Sequence, residues 1–231
     1  MTDVRRLMGR LNPSTAQFGG GRGGIPELTP QDIAGALGMI GDDLAREVFC
    51  ACWWPDGARL TRNALLAMVG LRQRAEIDRQ WRQVQMLRLD LHIADDDMAS
   101  GAATSPFAKE IRDRIKSRLD GAKASCWPSQ PKMYSIIRAA VIDEMAAPNL
   151  CRVCEGRGET TVGNLTIMCK QCDGVGSAPV SDRQRAARIE RDESTYRREW
   201  RVVYEWTYAL VSEAEGAAMK ALRAALQRDA A

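Results

Sequence analysis

The chain has 231 residues, 45% of them apolar and 27% charged, the proportions of an ordinary globular protein. That composition excludes a wholly disordered or collagen-like chain, and charge interrupts every apolar stretch well short of the roughly 18 residues that a membrane-spanning helix needs. The net charge of +3, from 33 Lys and Arg against 30 Asp and Glu, is too small to point to nucleic acid by itself.

Residues 1–28 fit no packed element. They contain Pro13, Ser14 and the run Gly19 to Gly24 interrupted only by Arg22, which reads as a flexible leader. The run lacks the Gly-Lys-Ser/Thr that a phosphate-binding loop requires. MTDVRRLMGRLNPST has no apolar core of an export signal, so a reducing cytosol is the expected setting.

Helical signals dominate from Thr29 onward. Thr29-Pro30 fits a cap followed by proline at the first helical position, with Asp32 in the first turn, and opens a short helix to about Leu37. A second helix is expected from about Asp42 to Trp54, ahead of Pro55. A long helical region starts near Leu60 and passes Leu91, with room for a break. Ser105-Pro106 repeats the cap-plus-proline signal and opens a helix to about Leu119; another runs from about Pro131 to Met145. From Arg59 to Arg138 the chain carries 15 basic and 9 acidic residues. The excess is mostly Arg, which suits bidentate contacts to phosphate or guanine and equally suits a solvated helix face.

The strongest chemical signal is CRVCEGRGETTVGNLTIMCKQCDGVG at residues 151–176. Each half reads CxxCxGxG, with Cys151 and Cys154 in the first and Cys169 and Cys172 in the second. A CxxC turn lets two thiolates grip one ion, and glycines just beyond it let the chain adopt positive φ where it doubles back. Between the pairs, 159–162 and 165–168 are strand-like and Gly163-Asn164 suits a two-residue hairpin turn. The hairpin brings the two CxxC turns side by side, so four thiolates are expected to hold one structural Zn²⁺. Four thiolates around Zn²⁺ leave a net charge of −2; Arg152, Arg157 and Lys170 either offset that charge or contact nucleic acid. Cys50, Cys52 and Cys126 are isolated and read as buried thiols.

Beyond the module, Ser181 and Gln184 make a capping box for a short helix, about Asp182 to Ile189. Ser194 is the expected cap of the next helix, whose inward positions are Trp200, Val203, Tyr204, Thr207, Leu210, Val211 and Ala214. Ser194, Arg197, Arg198 and Arg201 lie on its other side. A short helix, a tight turn and a longer helix with Arg near its start have the shape of a helix-turn-helix, whose second helix enters the major groove. Two amphipathic helices with a solvated face would give the same pattern. The fold expected overall is mostly α, with a helical region at 29–150, a zinc-bound β-hairpin at 151–176 and a helix-turn-helix-like pair within 177–231.

In this order, the features resemble the Q-type late-gene antitermination proteins of lambdoid bacteriophages. The resemblance rests on Cys151-Arg152-x-Cys154-x-Gly156-x-Gly158 and Cys172-x-Gly174-Val175-Gly176. It continues through the Ser181–Ala187 helix, Trp200, Tyr204, Ala209-Leu210-Val211, Glu215 and the Ala-rich end, and includes Thr29 to Cys50 with Ala36-Leu37-Gly38-Met39. It is dense at the C-terminal end and thin between Arg59 and Leu150. It implies a protein of the host bacterial cytosol that is not an enzyme. Such a protein binds double-stranded DNA at a late promoter, joins paused bacterial RNA polymerase and makes it read through terminators. It also implies a DNA-binding surface made of the zinc module and the 181–206 region, with Arg183 and Arg185 beside Ser194, Arg197, Arg198 and Arg201.

Other readings compete. A zinc-dependent transcription regulator without antitermination activity would share every one of these motifs. DnaJ-type co-chaperones carry four CxxCxGxG repeats where this chain has two, and the lone histidine, His92, is followed by Ile93-Ala94 and not by the Pro-Asp of a J-domain. His92 near Asp90 and Asp95 to Asp97 invites a catalytic reading, but no nucleophile, base and orienting group fall together.

Overall fold

The computed structural model describes residues 30–102, 105–146, 151, 153, 154, 158–162, 165–174, 176 and 179–228. The leader assigned to residues 1–28, and the cap assigned to Thr29, lie outside them. The described structure is mostly helical, with one two-stranded antiparallel sheet.

In chain order, α1 spans Pro30–Gly38 and α2 Asp43–Trp53. A 3-10 turn comes next at Pro55–Gly57, then α3 at Arg62–Ala99, α4 at Pro106–Ser125 and α5 at Pro131–Ala146. Strands β1 (Glu159–Val162) and β2 (Leu165–Met168) precede α6 (Asp182–Arg188). The final helical path consists of α7 (Glu193–Thr195), a π turn (Tyr196–Trp200) and α8 (Arg201–Arg228). The long helical region after Leu60 is one unbroken helix of 38 residues.

The caps explain several of these starts. The Asp42 carboxylate accepts from the amides of Leu44 and Ala45 at 3.0 and 3.2 Å, and Ser105 Oγ accepts from Phe107 N with Pro106 next in the chain. Ser181 and Gln184 form the expected capping box. One expectation is corrected: Asp192, not Ser194, caps α7. Its carboxylate accepts from Thr195 N at 2.8 Å, and Ser194 Oγ donates to it at 2.6 Å. Those donors hold the Asp192 carboxyl well below the usual carboxylate range. A carboxylate is the stronger acceptor for orphan helix-start amides and also suits the positive end of the helix dipole.

The described residues divide into two compact units, one made of those before residue 70 and after residue 130, the other of those within 70–130. In the first, α8 packs against α1, α2 and α5. Its inward face is Val203, Tyr204, Thr207, Val211, Ala214, Ala218 and Leu222, a three-and-four spacing whose alanines allow close helix approach. Val48 and Phe49 of α2 and Ile137 and Val141 of α5 are wholly buried in this unit. Trp53 Nε1 donates to the buried Glu215 carboxylate at 2.7 Å, tying α2 to α8. In the second unit, Val84 and Leu87 of α3 meet Leu119 of α4. Cys126 packs beside them, while Cys50 is fully buried in the first unit.

Glu47 organises the passage from α2 into α3. It is buried, ion-paired with Arg46, and accepts from the amides of Arg59 and Leu60 at 3.0 and 2.9 Å. Arg46 in turn donates to the Gly57 carbonyl at 2.9 Å. Removing one member of such a set leaves charge and amides buried without compensation. Glu47→Ala is expected to lower stability by about 3 kcal/mol, seen as a lower urea midpoint with an unchanged slope.

Candidate metal centre

The β1–β2 ribbon has the register that the sequence suggests. Glu159 pairs with Met168 and Val162 with Leu165; the turn assigned to Gly163-Asn164 lies outside the described residues. A ribbon of this register returns the chain beside its start, so the four cysteines at its base converge. All four are buried, and their sulfurs lie within 4.8 Å of one another. Cys151 Sγ is 3.9 Å from Cys169 Sγ, and Cys154 Sγ is 3.6 Å from Cys172 Sγ. A tetrahedral thiolate site with metal–sulfur bonds of about 2.3 Å has sulfur–sulfur edges of about 3.8 Å. Cys151, Cys154, Cys169 and Cys172 could therefore hold one metal ion.

The two halves are held by matched bonds. Gly158 N donates to Cys154 Sγ at 3.3 Å, and Gly176 N to Cys172 Sγ at 3.2 Å. Cys151 N donates to the Gly176 carbonyl and Cys169 N to the Gly158 carbonyl, both at 2.9 Å. Each half thus closes on the last glycine of the other. Gly158 and Gly176 have φ of +72° and +82°, the left-handed region that favours glycine. A Cβ on Gly158 would also stand 2.3 Å from the Gly174 carbonyl oxygen. The glycines of the motif therefore supply both the turn and the approach of one half to the other.

The ends of this excursion meet at a second polar cluster. Glu144, near the end of α5, is buried; Arg185 of α6 donates to it from Nη2 at 2.8 Å and from Nε at 3.2 Å. Tyr204 Oη of α8 donates to the same carboxylate at 2.7 Å, and Arg188 stands 3.7 Å away. The Arg185 guanidinium also lies 5.1 Å from the Tyr204 ring centre and 5.2 Å from that of Tyr208, a cation–π arrangement. Burial is the largest single influence and works against the Arg185 charge, but the hydrogen bond and charge of Glu144, with Tyr196 and Tyr204, together outweigh it and hold the group more firmly protonated than usual. Burial, reinforced by Glu144, pushes the Tyr204 phenol well above its ordinary value.

The turn between α6 and α7 is equally specific. Arg191 N bonds to the Ala186 carbonyl and Glu190 N to the Ala187 carbonyl, with Glu190 at φ +56°. That is a Schellman closure with a non-glycine residue in the left-handed position. The π turn after α7 has both Tyr196 and Trp200 fully buried, with Trp200 edge-on to Tyr134 at 6.0 Å and Tyr196 edge-on to Tyr204 at 5.9 Å.

Of the residues assigned to DNA, Arg183, Ser194, Arg197, Arg198, Arg201 and Lys170 are exposed, and Arg157 lies outside the described residues. Arg185 differs: its guanidinium is turned inward onto Glu144. Three of the exposed arginines are engaged by neighbouring carboxylates. Arg197 meets Asp182 at 3.0 Å and Glu193 at 2.6 Å, Arg198 meets Glu199 at 2.8 Å, and Arg201 meets Glu205 at 2.8 Å. His92 is exposed, with Asp96 one turn on at 3.5 Å.

Sequence reasoning missed Glu144. Its signal was its position on the apolar stripe of α5, seven residues after Ile137 and three after Val141. Compared with protein-family models, curated proteins and solved structures, the chain matches none.

Metal and protons compete for the four sulfurs. The amides of Cys154 and Val153 draw the Cys151 thiol down to about 7, whereas burial pushes Cys172 up to about 11. Cys172 is thus protonated near neutrality and must release its proton when an ion binds. Affinity falls as pH falls, by at least about tenfold per unit. A chelator-competition titration between about pH 8 and pH 6 measures that slope.

Proposed function

We propose that this protein is a DNA-binding transcription antiterminator that carries one structural zinc. The supporting observations are the buried four-cysteine cluster, the Glu144–Arg185 pair that joins α5 to α6, and the exposed arginines of α6, the π turn and the start of α8. Zinc suits the donor set: four sulfurs and no open position make a closed structural site. The ion would supply folding energy to the ribbon and no reaction chemistry. The resemblance to Q-type proteins adds the biological reading, in which the protein binds a late promoter and joins paused RNA polymerase.

The arginines bear the electrostatic part of this function. Exposed ion pairs such as Arg197–Asp182 and Arg201–Glu205 are worth little in water, so their carboxylates can be exchanged for phosphate at small cost. The same carboxylates hold the guanidinium groups in place before contact and repel misplaced anions. Arg183, Arg197, Arg198 and Arg201 are assigned to phosphate or guanine, Lys170 and Arg157 to phosphates beside the ribbon, and Arg185 to positioning α6. DNA contact raises the local concentration of protein near the polymerase, so a weak protein–protein contact suffices for recruitment.

Two coupled measurements test the reading. With Arg157, Lys170, Arg183, Arg197, Arg198 and Arg201 all on phosphates, the logarithm of the binding constant falls with the logarithm of salt at a slope of about −5.4, and each change to Ala reduces that slope by about 1. In transcription from the cognate promoter through a terminator, the wild type raises read-through and Cys154→Ser, which lacks a metal ligand, does not. DNA binding without read-through assigns the protein to transcription regulators that do not act on termination. Salt-insensitive binding removes the arginine interface altogether.

A further inference from the structure

Within the second unit, one face of α3 is exposed among the described residues. Its buried face, Val84 and Leu87 with Leu91 beside them, packs on Leu119 of α4. On the opposite side, Met86, Leu89 and Ile93 are 67%, 58% and 51% exposed. They are spaced three and four apart, so they form one stripe along the helix. The stripe is bounded by exposed Arg82 at one end and exposed Asp96 at the other. From Arg82 to Asp96 it runs about 21 Å, or roughly four turns.

The order of residues in this stripe is self-complementary. A two-fold axis passing by Leu89 carries Arg82 opposite Asp96, Met86 opposite Ile93 to within one residue, and Leu89 opposite itself. The flanking charges obey the same rule. From Arg72 to Arg88, α3 holds five arginines and two acids; from Leu89 to Ala99 it holds Asp90, Asp95, Asp96 and Asp97 and no Lys or Arg. Parallel pairing would set arginine on arginine and aspartate on aspartate. Antiparallel pairing sets each basic half against an acidic half.

A second observation points the same way. Asp95, Asp96 and Asp97 lie close to the C-terminal, negative end of the helix dipole, and the last turn holds no basic residue, which is unfavourable for carboxylates. Arg112 of α4 compensates Asp95 at 2.6 Å. For Asp96 the described residues offer only His92 at 3.5 Å, while Arg82 bonds through Nε to the Asp78 carbonyl of its own helix. A symmetric partner supplies each of these two groups with the other.

We infer that the protein self-associates through α3, with two copies pairing antiparallel along Arg82, Met86, Leu89, Ile93 and Asp96. The interface is isologous, so each cross-pair occurs twice. It neither uses the four-cysteine cluster nor depends on the DNA-binding reading. Its apolar centre is small, and the twofold-repeated charge pairs set the register, as flanking charges do in coiled coils.

The test is sedimentation equilibrium of the full-length protein up to about 100 µM, with variants Leu89→Glu, Arg82→Glu, Asp96→Arg and the double charge swap. All three substituted positions are exposed, and circular dichroism checks that each variant keeps its helix content. The wild type is expected to show a dimer weakened by salt. Leu89→Glu and each single reversal should weaken association at least tenfold, by setting like charges across the axis, and the double swap should restore it. A wild-type monomer throughout, or a dimer that the single reversals leave intact, or a double swap that restores nothing, overturns the inference.

Discussion

A carboxylate buried to the extent of Glu144 is tolerated only when compensated. Here the compensation comes from two other helices, a guanidinium of α6 and a phenol of α8. That single requirement fixes where the chain must return after its excursion through the cysteine ribbon. The segment leaves the helical unit at the end of α5 and rejoins it at α6, and Glu144 and Arg185 stand at those two points. The ribbon is closed at its own base by four sulfurs, and α5 and α6, the helices before and after it in the chain, are joined by this pair.

The two closures solve different problems. Among the described residues of 151–176 no large apolar side chain is buried; the cysteines are the buried cluster, and Leu165, Ile167 and Met168 are exposed. A two-stranded ribbon without a core is marginal in water, and an ion held by the four thiolates would supply the missing stabilisation. The Glu144 pair does not stabilise the ribbon as such. It orients α6, whose capping box and Schellman closure then set the direction of α7 and the π turn. Tyr196 and Trp200 anchor that turn in the core, so Arg197, Arg198 and Arg201 face outward from a rigid base.

Much of this was legible in the chain because the signals were local. Proline after a capping residue, the Ser181–Gln184 box and the paired CxxCxGxG turns are short patterns whose geometry is decided within a few residues. The inward positions of α8 came from helical spacing alone. The failures were non-local or competitive. Asp192 and Ser194 are both good capping residues, and the choice between them depended on which could also satisfy Thr195. Arg185 read as a surface arginine because its partner lies 41 residues away. Even so, it stands four residues before the buried Ile189, and Glu144 stands on an apolar stripe. Each was a charged residue on an inward face, and the two faces answer one another.

Glu144 and Arg185 are expected to act as one unit. A double-mutant cycle on unfolding in urea, using Glu144→Ala, Arg185→Ala and the pair, measures this directly. Strong coupling is expected: either single change leaves a buried charge uncompensated and costs about 3–5 kcal/mol, while the double change costs at least about 2 kcal/mol less than the sum. Additivity to within about 0.5 kcal/mol would show that the two residues are independent and that this pair does not hold α6 on α5.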